Sequence, residues 1–316
     1  MESLNVVFTG KDQVEVRREP VPALQSGQIL VESQCTLIST GTEGIVLGRK
    51  FAAGTHWDDW VKYPFVPGYN NAARVLEVAP DDSSSRLSSI PSAISDEEAA
   101  WFGMAYIAQV GVHTAKHELG DAGVIVGLGL LGQLVTQYVR NLGAREIIVN
   151  DTSEMRLEMA KSHGATHVLK TGVEDARDRV LELTGGKGAD VVYDATGFPA
   201  VFAPALGLVR KFGKMLLLGD AGTPSEQRLT PDVVTRGVRI LGAHDGHAPG
   251  KETDHNRWTQ RNMTDLFFTF LERGQMRVAD LITHRYAPQA YQMLQTNRAT
   301  AMGIVFDWTQ VEQITS

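Results

Sequence analysis

The chain has 316 residues, of which 43% are hydrophobic and 21% charged, and it carries a formal net charge of -7. That length calls for two domains, and the composition is that of a folded globular protein, not a disordered one. The negative balance offers no broad attraction to nucleic acid or an anionic membrane, no stretch reaches the roughly eighteen apolar residues of a membrane span, and a lone Cys35 excludes an internal disulfide or a multi-thiolate site.

The first part of the chain carries short strand-like runs, NVVFTG, VEVRREP, ILVESQCTLIS and AARVLEVA, broken by Gly and Pro. Its opening residues lack a basic stretch followed by an apolar run, so a cytoplasmic protein is expected. Residues 80–92 are polar and Ser-rich and read as a linker. Ser95 and Glu98 form a capping-box pattern that opens one helix over SDEEAAWFGMAYIAQV, expected to cross between domains. His113 and His117 lie one helical turn apart, and two ligands without a third read as a solvated face, so no metal is expected there.

From 122 to 242, six β-branched runs (AGVIV, REIIV, THVLK, ADVVYDA, KMLLLG and VRILGA) alternate with helical patterns, as in a parallel sheet covered on both faces. In the first of these helices Leu131, Leu134, Val135, Tyr138, Val139 and Leu142 recur at helical spacing, and Gly143 supplies a left-handed stop. After residue 245 come a loop rich in His and Gly, a helical pattern around MTDLFFTFLERG, and a strand-like GIVFDW.

The main chemical motif is GVIVGLGLLG, where Gly127, Gly129 and Gly132 make GxGxxG between a strand and a helix. This turn lets backbone approach a pyrophosphate and sets the phosphates on the helix N-terminus. Asp151 ends the next strand, placed to accept hydrogen bonds from an adenosine ribose; its alternative role is to cap the following helix. Arg156, one turn on, either reaches that ribose or is solvated. A site for NAD is expected.

Through LISTGTE, YPFVPGYNNAARVLEV, ISDEEAAWFGMAYIA, VGLGLLG and LITHRYAPQAYQML the chain resembles the medium-chain dehydrogenase/reductase superfamily over nearly its whole length. STGTE, VPGY, LITHR and the closing DW are nearest to the group that includes the bacteriochlorophyllide hydroxyethyl dehydrogenase. The resemblance implies an α/β fold: a Rossmann doubly wound parallel sheet, residues 104–245, inserted into a GroES-like β-barrel catalytic domain made from 1–103 and 246–316. It also implies a homodimer paired through VRILG. Val78 to Ile94 is shorter than the superfamily pattern, so a shortened barrel is expected. Cofactor contacts are expected from Thr40, from Gly127, Leu128, Gly129, Leu130, Leu131 and Gly132 of the turn, from Asp151 and Arg156, and from Thr196, Gly219 and Ala243.

Where zinc members carry ligands, this chain has Ser39, Tyr69 and Asn70, which hold zinc poorly, so a zinc-independent enzyme is expected. Side chains must then stabilise the charge on the substrate oxygen. Tyr69 is the candidate donor, Thr40, Thr42 and Glu43 either contact the nicotinamide ribose or orient Tyr69, and His244 and His247 are candidate acid/base groups beside the nicotinamide. His56, Trp57, Trp60 and Lys62 lie in a loop expected to overhang the pocket. The function this implies is NAD-dependent hydride transfer with a small-molecule alcohol or carbonyl substrate, polyol or sugar-like. An NADPH-dependent quinone or enone reductase and a catalytically silent dinucleotide-binding protein remain as alternatives.

Overall fold

The computed structural model describes residues 1–80, 87–286 and 300–309. The chain divides into two units, one of Met1–Gly103, Thr264–Glu272 and Val278–Ser316, the other of Met104–Met263 and Arg273–Arg277. Residues 246–263, expected in the catalytic domain, are thus grouped with the other unit.

The first unit opens with a hairpin of β1 (Glu2–Gly10) and β2 (Gln13–Pro20), antiparallel with Val6 opposite Val16. β3 (Ile29–Leu37), α1 (Thr42–Gly48), α2 (His56–Trp60) and β4 (Asn71–Val78) follow. The STGTE segment therefore runs directly into a helix. The capping box forms as the spacing predicts, with the Glu98 N–H donating to Ser95 Oγ at 3.3 Å and the Ser95 N–H to Glu98 Oε2 at 3.2 Å. The helix it opens is two helices, however: α3 (Asp96–Ala99) stops and α4 (Phe102–Ala115) restarts. The break seats Trp101, fully buried, in the core.

The second unit alternates strand and helix: β5 (Ala122–Val126), α5 (Leu130–Asn141), β6 (Glu146–Asp151), α6 (Glu154–Ser162), β7 (His167–Lys170), α7 (Arg177–Leu183), β8 (Ala189–Asp194), α8 (Pro199–Leu206), β9 (Val209–Leu217), α9 (Asp232–Thr235) and β10 (Arg239–Gly242). The six strands are all parallel in the order β10-β9-β8-β5-β6-β7. The chain starts at β5, runs out to β7, then crosses back to β8, so the order reverses between β5 and β8; in doubly wound sheets that crevice is where ligands bind. Val124, Val126, Val192, Met215 and their neighbours are buried against helices, as a sheet covered on both faces requires. α5 has the expected apolar face, and Gly143 follows it with φ +78°.

α10 (Gln260–Glu272) precedes β11 (Ile282–Tyr286) and β12 (Gly303–Asp307), which complete a four-stranded sheet in the order β11-β12-β3-β4 within the first unit. This sheet and the β1–β2 hairpin share one core, in which Val6 and Phe8 meet Ile304 and Phe306. Trp308 of the closing DW donates its indole N–H to Thr36 Oγ1 at 2.9 Å. Val75, Leu76 and Val78 at the end of β4 are exposed, and the shortened stretch that follows lies in part outside the described residues.

Candidate functional site

The glycine turn is built as the motif requires. Gly127 has φ +85°, a conformation that favours glycine, and a Cβ on Gly132 would sit 2.0 Å from the Gly127 carbonyl oxygen, so the helix meets the strand at backbone distance. Gly129 caps α5, and Leu128 and Leu130 turn their side chains into the core; the Leu128 N–H goes to Asp151, so it is the first turn of α5 that offers N–H groups to a phosphate. Gln133, fully buried, braces the turn from below by donating to the Arg156 carbonyl at 2.8 Å and the Leu128 carbonyl at 3.4 Å.

Asp151 performs both local roles at once: Oδ2 accepts the Leu128 N–H at 2.7 Å, and Oδ1 accepts the Ser153 N–H at 2.8 Å at the start of α6. Each carboxylate oxygen keeps a second lone pair for a hydroxyl donor. Arg156 Nη1 stands 4.0 Å from Asp151 Oδ2, too far for a hydrogen bond but within reach of an ion pair. Asn150, one residue earlier, ties β6 to β7 by donating to Leu169 and Thr171 carbonyls at 3.1 and 2.9 Å.

Thr196, Gly219 and Ala243 lie at the C-terminal ends of β8, β9 and β10, the side of the sheet that carries the glycine turn. The Ala243 N–H donates to the Leu217 carbonyl at 3.1 Å, and a Cβ on Gly219 would sit 2.3 Å from Gly197 N. These strand ends, the glycine turn and Asp151 fit a dinucleotide.

His244 and His247 are brought together in a 3-10 turn after β10, with ring centroids 6.0 Å apart. His244 Nδ1 accepts the Gly246 N–H at 3.1 Å and lies 2.8 Å from Asp245 Oδ1, and both rings are exposed. Tyr106 anchors this turn to α4 by donating its hydroxyl to the Asp245 carbonyl.

In the first unit Tyr69 is 42% exposed, whereas Ser39, Glu43 and Asn70 are buried. The Asn70 Oδ1 atom sits so close to the start of α4 that a Cβ on Gly103 would come within 2.0 Å of it. Its Nδ2 donates to the Leu37 carbonyl at 3.4 Å. Thr40 precedes α1 and Thr42 begins it. Trp57 is buried, while Trp60 is exposed and meets Phe65 edge-on at 5.2 Å.

Zinc requires imidazole, thiolate or carboxylate donors, and the neutral set of Ser39, Tyr69 and Asn70 does not fit it. Cys35 is no substitute, because burial, with Glu97, Asp307 and Asp96 adding to it, pushes its thiol up to about 12. Among the described residues no three His, Cys, Asp or Glu side chains gather as a metal would need.

The expectation that His113 and His117 form a solvated face is overturned. His117 is buried with Nδ1 3.1 Å from the Tyr193 hydroxyl, and the His113 ring stacks on Trp258 at 4.3 Å. α4 ends at Ala115 and Lys116 turns the chain with φ +47°, so His117 leaves the helix and the helical spacing of the two histidines is not realised.

One functional candidate escaped the sequence reading altogether: Asp194, which ends β8 and is 1% exposed. The signal was present, since YDAT places a threonine two residues after an acid that closes an apolar run.

A doubly wound parallel sheet with a glycine turn at its switch point defines a dinucleotide-binding α/β protein. Residues 131–261 match the family model described as zinc-binding dehydrogenase. A sorbitol dehydrogenase from Bacillus subtilis is 35% identical over 159 residues, 48% of this chain; the chain spans 43% of that relative's length. Among solved structures, a protein described as a zinc-binding dehydrogenase from Sinorhizobium meliloti, bound to NADP, superposes with a TM-score of 0.78 at 18% identity, covering 97% of this chain and 99% of that one. A protein described as a short chain alcohol dehydrogenase from Escherichia coli CFT073, complexed with NADH, gives 0.78 at 15% identity with the same coverage of 97% and 99%. The fold is that of the medium-chain alcohol dehydrogenases. Over the matched residues the chain is similar to zinc-binding dehydrogenases, and no described helix is long and apolar enough to cross a membrane.

Proposed function

We propose that this protein is a zinc-independent dehydrogenase that transfers a hydride between NAD(H) and a small alcohol or carbonyl compound, polyol or sugar-like. The observation that carries the reading is the glycine turn closed by Asp151 at the switch point of the sheet. When bound, the nicotinamide supplies or accepts the hydride. The glycine turn holds the pyrophosphate, Asp151 the adenosine ribose, with Arg156 beside it, and Thr196, Gly219 and Ala243 the nicotinamide half, while Thr40 contacts its ribose.

Without a metal, the charge on the substrate oxygen falls to side-chain donors. Tyr69 is the first choice, its hydroxyl donating to the developing oxyanion, with Thr42 orienting it. His244 and His247 are the alternatives for moving the proton, since an imidazole titrates near neutrality. Kinship with a sorbitol dehydrogenase supports a polyol substrate. We read the protein as cytoplasmic and as a homodimer paired through β10, an edge strand of the sheet.

One observation favours a second reading, an NADPH-dependent enone reductase: Arg156 lies near the ribose side of the site and could pair with a 2'-phosphate. The test is turnover of sugars, cyclitols, alcohols and enones with NAD(H) and NADP(H) in the presence of a chelator. NAD-linked oxidation of a polyol is expected. Turnover of enones alone with NADPH establishes the second reading, and cofactor binding without turnover of any substrate leaves a silent dinucleotide-binding protein.

A further inference from the structure

Asp194 is a buried carboxylate without an ion-pair partner among the described residues, and burying such a group is costly unless its oxygens find donors. Its Oδ1 accepts the Thr196 N–H at 2.9 Å and the Thr196 hydroxyl at 2.6 Å, while Oδ2 is buried with no hydrogen-bond partner. Burial pushes this carboxyl above the usual range, and the bonds from Thr196 and Gly197 pull it part of the way back. The cost of holding the group there is only partly offset locally.

What those bonds do is shape the end of β8. Thr196 Oγ1 donates to Asp194 and accepts the Phe198 N–H at 3.1 Å, so residues 194–198 are locked into one turn. The Thr196 methyl then faces the glycine motif so closely that a Cβ on Gly127 would come within 2.5 Å of it. The Asp194 carbonyl meanwhile accepts the N–H groups of Leu218 and Gly219, both at 2.9 Å, which ties the end of β9 to the same point. One residue therefore links the three strand ends on the β5, β8 and β9 side of the crevice. Asp151 stands on the opposite side of β5, at the end of β6, so the two carboxylates flank the two halves of a dinucleotide.

We propose that Asp194 is a positioning residue for the nicotinamide half of the dinucleotide, acting through Thr196 to set the turn at the end of β8 against Gly127. This rests on the reading of these strand ends as the nicotinamide site. An asparagine keeps the Oδ1 acceptor and hence the turn, at the cost of an unpartnered amide in place of Oδ2; an alanine loses both bonds.

The test uses the full-length protein with Asp194→Ala, Asp194→Asn, Thr196→Val and the double variant Asp194→Ala/Thr196→Val. NADH affinity is read by fluorescence titration, and AMP affinity, which reports the adenosine half and the fold, by calorimetry. Asp194→Ala and Thr196→Val are expected to weaken NADH each by roughly tenfold, the scale of a lost charge-assisted hydrogen bond. The double variant should be no weaker than the worse single one, since both remove the same contact. Asp194→Asn should recover most of the loss, and AMP should bind all variants alike. Wild-type NADH affinity in Asp194→Ala, additive losses in the double variant, or equal losses of AMP and NADH overturn the proposal. Should Asp194→Ala not fold, Asp194→Asn and Thr196→Val decide: an asparagine variant as weak as Thr196→Val overturns it. A wild type that binds neither NADH nor NADPH overturns the dinucleotide reading beneath it, and is distinct from every other outcome.

Discussion

The Oδ2 atom of Asp151 accepts the Leu128 N–H at 2.7 Å, so the carboxylate proposed to hold the ribose also closes the glycine turn. Substitutions there act on two functions, and the choice of residue separates them. NADP adds a phosphate where the carboxylate meets the ribose. At about 4 Å and an effective dielectric near 20, each unit of like charge costs roughly 4 kcal/mol, reduced by screening and rearrangement to about 2. NAD(H) should therefore bind at least tenfold or so more tightly than NADP(H). Asp151→Asn keeps an acceptor for Leu128 and removes the charge, so it should narrow the preference with little loss of NADH affinity, whereas Asp151→Ser should also weaken NADH. Calorimetric titration of both cofactors decides; equal affinities in the wild type return Asp151 to a purely local role.

Tyr69→Phe should lower turnover by about one to three orders of magnitude and leave NADH affinity nearly unchanged, as expected when one donor to a developing oxyanion is lost. An unchanged rate on the best substrate of the panel makes Tyr69 structural. Wild-type protein should keep its fold and activity in a chelator, because Ser39, Tyr69 and Asn70 supply no zinc donor set. One tightly held zinc per chain by elemental analysis, with activity lost on its removal, would show that the donors were misread.

Much of this architecture was legible because it is repetitive. The β-branched runs and the period of Leu131, Leu134, Val135 and Tyr138 mark a covered parallel sheet, and the glycines and Asp151 have few other ways to be arranged once strand and helix are placed. Asp194 and Thr196 were harder to weigh, because their meaning lies in what surrounds them: a short Asp-x-Thr turn is common, and only burial without a cation makes it unusual. His113 and His117 were misread because no Gly or Pro marks the end of α4 at Ala115, so a spacing that looks helical in the sequence runs past the helix. The break at Ala100 and Trp101 left no Gly or Pro to announce it.

Phe212 has φ +60° at an irregularity in the register of β9 while its ring is 60% exposed. For a bulky residue the left-handed region costs roughly 1–2 kcal/mol, and asparagine tolerates it better. The ring returns some of this through the Lys211 ammonium, 5.2 Å from its centroid. Phe212→Asn should thus raise stability by about 0.5–1 kcal/mol, the scale of backbone effects at such sites. Urea unfolding measures it, and a destabilised variant would mean that the ring's contacts outweigh the backbone strain.

His117, buried, and His113, half-buried, contribute to how the second unit responds to acid. His117 is held below its ordinary 6.5 first by burial and also by Lys214, against the opposing pull of Asp121 and Asp190. His113 is held below 6.5 by burial and by Arg257, whose guanidinium lies over the same Trp258 ring on which His113 stacks. The unfolded chain takes up protons on both as pH falls through 6.5, while the folded chain resists until its lower values are reached. Across that window the unfolded state binds more protons, so stability rises with pH there and is lost as pH falls. Each group contributes a slope of up to about 1.4 kcal/mol per pH unit. The stability these neutral imidazoles confer is fully present above 6.5. His117→Gln removes the titration and keeps an amide that can bond the Tyr193 hydroxyl, now 3.1 Å from Nδ1. This variant should be somewhat less stable at pH 7.5, yet lose less stability than the wild type between pH 6.5 and 5, and His113→Phe should flatten the remaining slope. Unfolding free energies from urea titrations across that range give the answer. Parallel curves for wild type and His117→Gln would place the acid sensitivity elsewhere and show that His117 is protonated as readily in the fold as in the unfolded chain.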